Sequence, residues 1–185
     1  ILLLNPDVKI VDNSIEKMLD FLAKHSEIGA LSPLIYQADA KNLQRHFFGD
    51  FQSLAGITYK RWQGKTADLS KEFFYVDMIT GAALLTSREL YEKLGGFDEN
   101  FFMYNEDDDL CRRISKLGLK NAVLTTARVI HYEGQSSTSY EKKKFYYDSQ
   151  DYYWQKHYGS FKTTLMKMLR SPYILLQKLR NRDIK

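Results

Sequence analysis

ILLLNPDVKIVDNSIEKMLDFLAKHSEIGALSPLIY, residues 1–36, passes from an apolar run through a turn into a helix, and then into a second apolar run. Residues 1–4 are continuously apolar, the pattern of a parallel strand buried on both faces. Pro6 has no N–H to offer a ladder, so Asn5-Pro6-Asp7 ends the strand. Asp12-Asn13-Ser14 bring helix-capping side chains, and Glu16 follows Asn13 by three residues. Ile15, Met18, Leu19 and Leu22 recur at helical spacing, with Gly29 beyond the helix end. Residues 28–36 form a second buried strand. This strand–helix–strand succession predicts an α/β domain. A strand buried on both faces needs neighbours on both sides. Because the chain opens on one, without Met, it is expected to be the carboxy-terminal part of a longer protein.

Further along, residues 37–71 are polar and irregular, with isolated Phe47, Phe48, Phe51, Tyr59 and Trp62. Excursions of that length in compact domains are usually functional or mobile. Residues 73–78 make a short strand leading into Thr80-Gly81-Ala82-Ala83-Leu84-Leu85. Thr86 and Glu89 form a capping box for a helix over 88–94, stopped by Gly95-Gly96. After an aromatic loop over 97–105, a helix is predicted over about 106–117, with Leu110, Ile114 and Leu117 inward and Gly118 as its stop. A last strand over 121–130 ends at His131, and from Ser139 the pattern is mostly helical.

At 185 residues the chain fits one domain, and 44% hydrophobic and 27% charged residues are ordinary for a globular protein. The lone Cys111 forbids an internal disulfide and fits a reducing compartment. No apolar run approaches the roughly 20 residues that span a bilayer, and no stretch of the sequence reads as a signal peptide. The net charge of +4 is unevenly placed. Residues 161–185 hold seven basic residues against one acid, Asp183, so the rest of the chain is net acidic. That distribution argues against a nucleic-acid reader, whose basic residues line the folded surface.

Three places could carry chemistry. Asp7 stands where the opening strand ends, and open α/β sheets bind ligands outside the carboxyl ends of their strands. A single carboxylate completed by phosphate oxygens commonly holds Mg²⁺ or Mn²⁺, although Asn, Pro and Asp are also plain turn formers. Glu106-Asp107-Asp108-Asp109 crowd four acids at a helix start. The helix dipole accommodates one or two, and four repel one another unless something positive lies nearby. A carboxylate there suits a general base. His131 ends the last strand, followed by Glu133-Gly134 and Ser136-Ser137, and a neutral imidazole is a frequent metal ligand. All three lie at strand ends or helix starts, the edges that converge on one cleft.

The succession LLLNPDV (2–8), TGAALLTSRELYEKLGGFDENFFMYNEDDDLCRRISKLG (80–118) and ARVIHYEGQSS (127–137) resembles glycosyltransferase family 2, in particular its rhamnosyltransferase-like bacterial branch. The resemblance covers residues 1 to about 160. It implies a partial GT-A, Rossmann-like α/β domain with a mixed, mostly parallel sheet, flanking helices and a helical C-terminal tail. It also implies that Asn5-Pro6-Asp7 stands at the family's Asp-x-Asp position, Asp7 contacting a divalent metal (Mg or Mn) that bridges the donor diphosphate, with Asn5 in place of the first Asp. Asp107 would be the catalytic base, with Glu106 orienting the acceptor or tuning Asp107, and His131 a second metal ligand. Thr80, Gly81 and Ala82 would line the cleft beneath donor sugar and acceptor, with Tyr104 beside them.

The expected function is an inverting transfer of a sugar from a nucleotide-sugar donor to a saccharide or lipid-linked acceptor, in cell-surface polysaccharide synthesis. Residues 1–160 would be the metal- and acceptor-binding half of the catalytic domain. The nucleotide-binding half would lie outside this chain, which alone would then be inactive. A metal-dependent phosphohydrolase, needing a nucleophile or more ligands near Asp7, and a non-enzymatic membrane-surface module are the alternatives. In residues 161–185, Phe161, Leu165, Met168, Leu169, Leu175, Leu176 and Leu179 recur at near-helical spacing among the basic residues, with Pro172 expected to split the helix. Such a segment suits an anionic membrane surface, placing the protein at the inner, cytoplasmic face of the bacterial cell membrane.

Overall fold

A computed structural model describes residues 1–58, 66–132 and 139–182. Tyr59, Trp62, Glu133, Gly134, Ser136 and Ser137 lie outside the described residues. In chain order the elements are β1 (Leu2–Leu4), β2 (Val8–Val11), α1 (Ser14–Lys24), β3 (Ile28–Tyr36), β4 (Phe48–Gly49), α2 (Leu54–Thr58) and β5 (Phe73–Val76). They continue with β6 (Met78–Ile79), β7 (Ala83–Thr86), α3 (Arg88–Lys93), α4 (Glu106–Lys116), β8 (Lys120–His131) and α5 (Ser139–Arg182).

Six strands form one sheet in the order β1-β7-β3-β8-β2, with β5 also pairing β8; β4 and β6 make a separate ribbon. The sheet is mixed, as expected, and its core is the parallel ladder of β3 along β8. The β1–β7, β3–β7, β2–β8 and β5–β8 pairings are antiparallel. The opening strand departs from expectation. Instead of a parallel strand buried on both faces, β1 is an antiparallel edge strand, with Leu2 and Leu3 half-buried and Leu4 39% exposed. A four-residue apolar run has too little period to distinguish one covered face from two.

β8 organises the rest. Along one side it follows β3, and along the other it meets β5 at Asn121–Leu124 and β2 at Arg128–His131. Between these halves the register with β3 jumps from Pro33↔Leu124 to Leu34↔Arg128, a bulge over 125–127. Ser14 seals the bulge: its Oγ accepts the Arg128 N–H at 2.9 Å and donates to the Val11 carbonyl at 2.6 Å. Asn13 occupies the N-cap of α1 without the side-chain bond expected of it.

α1 covers one face of the sheet, burying Met18 and Phe21 against Ile28, Leu31, Leu85 and Leu124, while Leu19, expected inward, is exposed. The other face packs under α4 through Leu110, Cys111 and Ile114, and Leu117 again lies outside. Gly29 is required at this contact, because a Cβ there would collide with Ile114. The α3 cap falls one residue later than expected. Ser87 accepts the Leu90 N–H, whereas Thr86 is buried and donates to the Gly29 carbonyl. Gly95, Gly96 and Gly118 all adopt positive φ as helix stops.

α5 reverses at Gly159 (φ 80°, ψ 170°), a region open to glycine alone, whereas helix continues through Pro172. The second arm folds back on the first. Met166 packs with Phe101, Tyr153 and Trp154, Arg170 pairs with Asp151 at 2.7 Å, and Lys167 reaches Asp151 at 2.9 Å. No helix among the described residues is long and apolar enough to cross a membrane.

Candidate functional site

Asp7 lies in the turn from β1 to β2, and each strand ties that turn to a different part of the sheet. On the β1 side, Leu4 pairs with Ala83 and the Asn5 N–H donates to the Ala82 carbonyl at 3.0 Å. On the β2 side, Val8 pairs with His131 and the Tyr132 N–H donates to the Asp7 carbonyl at 3.0 Å. Asp7 Oδ1 thereby comes to 3.1 Å from His131 Nε2. The Asp7 side chain is 42% exposed and that of His131 only 9%. His131 Nδ1 faces Gln44 Oε1 at 2.9 Å, and an amide oxygen only accepts, so Nδ1 carries hydrogen. Nε2 faces the carboxylate at hydrogen-bond distance: an imidazolium donates to it there, and a neutral ring instead presents a lone pair beside the carboxylate, the donor set that fits a divalent cation, with Gln44 behind Nδ1.

The second cluster is built on the first turn of α4. Asp107 Oδ2 accepts the Gly81 N–H at 2.9 Å, and its Oδ1 accepts the Asp108 N–H at 2.8 Å. Thr80 is held by its own N–H, which donates to the Phe47 carbonyl at 2.9 Å. The Tyr104 ring lies against Tyr146, and burial followed by the Glu106 charge raises its pKa. Tyr104 and Asn105 both take left-handed backbone, with φ of 70° and 65°, a strain that non-glycine residues adopt only under constraint.

The four acids divide. Glu106 and Asp107 are half-buried, whereas Asp108 and Asp109 are buried. Burial, reinforced by the Asp107 charge, pushes Asp108 up to about 8 and Glu106 up to about 7. Asp109 goes the other way: despite burial, His157, Lys156 and Arg113 hold it below the usual carboxylate range. Its oxygens accept from Arg113 Nε, His157 Nε2 and Lys156 Nζ, each at 2.7 Å. The positive partner that four acids demand is thus structural for Asp109, and Asp108 is accommodated as a neutral acid.

The sequence-derived residues therefore meet in two pairs, Asp7 with His131 and Asp107 with Gly81, joined through Ala82 and Asn5. Among the described residues, no group of three or more His, Cys, Asp or Glu converges as a metal cluster. Sequence reasoning missed Gln44 and Gln52. Both sit in the polar excursion over 37–71, and the only signal available was that a long excursion is usually functional.

This fold is that of the GT-A glycosyltransferases. A crystal structure of GalNAc-T7 with UDP, GalNAc and Mn2+ shares it at a TM-score of 0.50 and 17% identity, covering 83% of this chain and 33% of that one. The chain belongs to the family described as Glycosyltransferase like family 2, whose profile matches residues 1–146. It is 31% identical over 147 residues to N-acetylglucosaminyl-diphospho-decaprenol L-rhamnosyltransferase of Mycobacterium tuberculosis, covering 74% of this chain and 48% of that protein. It is 28% identical over 151 residues to rhamnosyltransferase WbbL of Escherichia coli K12, covering 78% and 56% respectively. The chain spans about half the length of the curated relatives it matches.

Proposed function

We propose that the protein moves a sugar, rhamnose or a related hexose, from a nucleoside-diphosphate donor to a saccharide or lipid-linked acceptor in cell-surface polysaccharide synthesis, with inversion at the anomeric carbon. The observation that carries this is the single run of contacts from Asp107 through Gly81, Ala82 and Asn5 to Asp7 and His131, which gathers both clusters on one edge. The rhamnosyltransferase names of the two relatives support the choice of sugar.

The acceptor hydroxyl attacks the anomeric carbon, whose bond to the diphosphate oxygen breaks as the nucleoside diphosphate leaves with the electron pair. Asp107 takes the hydroxyl proton. Its two backbone hydrogen bonds, from Gly81 and Asp108, hold the carboxylate in place for that transfer. Glu106 orients the acceptor, and Tyr104 flanks it. Asn5, Thr80, Gly81 and Ala82 form the floor on which the donor sugar rests. Asp7 and His131 would hold Mg²⁺ or Mn²⁺, which would supply charge neutralisation for the diphosphate.

The second arm of α5 adds a membrane contact. It leaves Phe161, Met168 and Leu175 exposed at 83%, 66% and 59%, on a segment rich in basic residues, although Lys167 and Arg170 are partly engaged by Asp151. Exposed apolar side chains on a segment of basic composition suit the anionic inner face of the bacterial cell membrane, where a lipid-linked acceptor would reside.

The test is nucleotide-sugar turnover by the full-length protein. Slow donor hydrolysis without acceptor and faster consumption with it are expected. The absence of turnover across a panel of nucleoside-diphosphate sugars with Mn²⁺ and Mg²⁺ would overturn the proposal.

A further inference from the structure

Gln52 is a polar side chain in a closed place, 6% exposed, between β4 and α2. Its amide offers two N–H bonds and two lone pairs, and all four are used. Nε2 donates to Asn105 Oδ1 at 2.5 Å and to Asp108 Oδ2 at 3.1 Å. Oε1 accepts from Trp154 Nε1 at 2.9 Å and from Gln150 Nε2 at 3.1 Å. The Gln52 carbonyl also accepts the Tyr158 hydroxyl. Half a turn of the amide would set N–H groups against two donors and an oxygen against two oxygens, so only one orientation is allowed.

What this side chain grips matters as much as how. Asn105 and Asp108 bracket Glu106 and Asp107 on the first turn of α4. Trp154, Gln150 and Tyr158 belong to the first arm of α5. Asn105 sits at the N-cap of α4 without a side-chain capping bond, and its strained backbone follows that of Tyr104. Its Oδ1 is given to Gln52 instead. Among the described residues Asn105 Nδ2 and Asp108 Oδ1 are buried with no partner, so Gln52 supplies the side-chain bonds of Asn105 and Asp108, while Gly81 holds Asp107 and Arg113, His157 and Lys156 hold Asp109. A small displacement of a reacting group lowers turnover steeply.

We infer that Gln52 is the positioning residue for Asp107, clamping the first turn of α4 from both sides and tying it to the α5 hairpin. This rests on Asp107 being the base. The Gln52→Glu substitution keeps size and shape but takes the amide donor away from Asn105 Oδ1 and Asp108 Oδ2, leaving two carboxyl groups in contact to share one proton. In the full-length protein it should lower kcat by about tenfold to a hundredfold while leaving both KM values nearly unchanged. Adding Asp108→Asn removes the second carboxyl and puts a permanent amide donor opposite the new oxygen. The double variant should therefore recover most of the lost kcat.

A Gln52→Glu enzyme with full kcat, or a double variant as slow as the single, overturns the inference. Melting temperatures read alongside separate positioning from packing: loss of kcat that merely follows loss of stability in every variant also overturns it. Asp107→Asn, assayed in parallel, isolates the underlying assignment. If that variant stays active, the base assignment fails. If it is inactive while Gln52→Glu keeps full kcat, only the role of Gln52 fails.

Discussion

Gly81 donates its backbone N–H to Asp107 Oδ2 at 2.9 Å, linking the segment that leads into β7 to the first turn of α4. A backbone donor aimed at a carboxylate costs no side-chain ordering when the substrate arrives. It also fixes the distance between the proposed base and the proposed floor of the sugar cleft, so the two must move together or not at all.

Asp107→Asn is expected to lower turnover at least about 10²-fold, the lower end of what a general base contributes, while donor binding stays near wild type. Glu106→Gln should act mainly on acceptor KM. Steady-state kinetics of both variants decide the roles. An active Asp107→Asn beside an inactive Glu106→Gln would show that they are reversed.

Chelation should abolish transfer, with Mn²⁺ or Mg²⁺ restoring it. Asp7→Ala and His131→Ala should each raise the metal concentration needed for half-maximal activity. Gln44→Leu, which removes the acceptor behind His131 Nδ1, should raise it by about 10- to 100-fold, as loss of an outer-shell partner does. Metal titrations of activity check all three, and full activity in excess chelator would remove the Asp7 and His131 assignments together.

Stability should depend on pH in a direction set by Glu106 and Asp108. Burial and the Asp107 charge raise both groups in the folded state, Asp108 up to about 8. Between about pH 4 and pH 8 these two groups therefore bind more protons in the folded protein than in the unfolded chain and make stability fall as pH rises, whereas His157, lowered by burial, acts in the opposite sense. Asp109, held low, acts in the opposite sense and loses its contribution only as pH falls below the ordinary carboxylate range. Asp108→Asn should flatten the decline in melting temperature between pH 5 and pH 8. An unchanged slope would show that Asp108 titrates normally.

Gly159→Ala should destabilise the α5 reversal. Among the described residues nothing lies within 4 Å of the added Cβ, so the penalty is that of the backbone conformation. A side chain at φ 80°, ψ 170° costs on the order of 1–3 kcal/mol. A lower melting temperature by thermal denaturation is expected, and a melting temperature equal to wild type would mean that the arms can reorient freely.

Co-sedimentation with anionic and neutral vesicles tests the membrane contact. Binding to anionic vesicles should fall with salt and fall again in a Phe161→Asp, Met168→Asp double variant. Equal binding by that variant, or binding indifferent to salt, would refute the contact.

Much of the fold was legible locally. β3 occupies residues 28–36 as the apolar run predicts, and α4 begins at Glu106 as its acids predict. Helix stops at Gly95, Gly96 and Gly118 follow from their freedom to take positive φ. β2 was not legible, because Lys9 interrupts its apolar residues and half-exposed strands resemble loops. Pro172 misled because one lost helix donor is tolerated, while the backbone of Gly159 marks the real reversal.

By itself the sequence determined the α/β class, the family, and the candidacy of Asp7, Asp107 and His131, since residue type and local period are properties of short segments. Only the tertiary structure decided which of the four acids stay half-buried and which are enclosed. It also decided that β8 changes partner halfway to bring His131 beside Asp7, and that Gln44 and Gln52 stand behind the two clusters. Those outcomes depend on the environment of each group, on burial and on partners from distant parts of the chain. Spacing along a sequence carries none of that information.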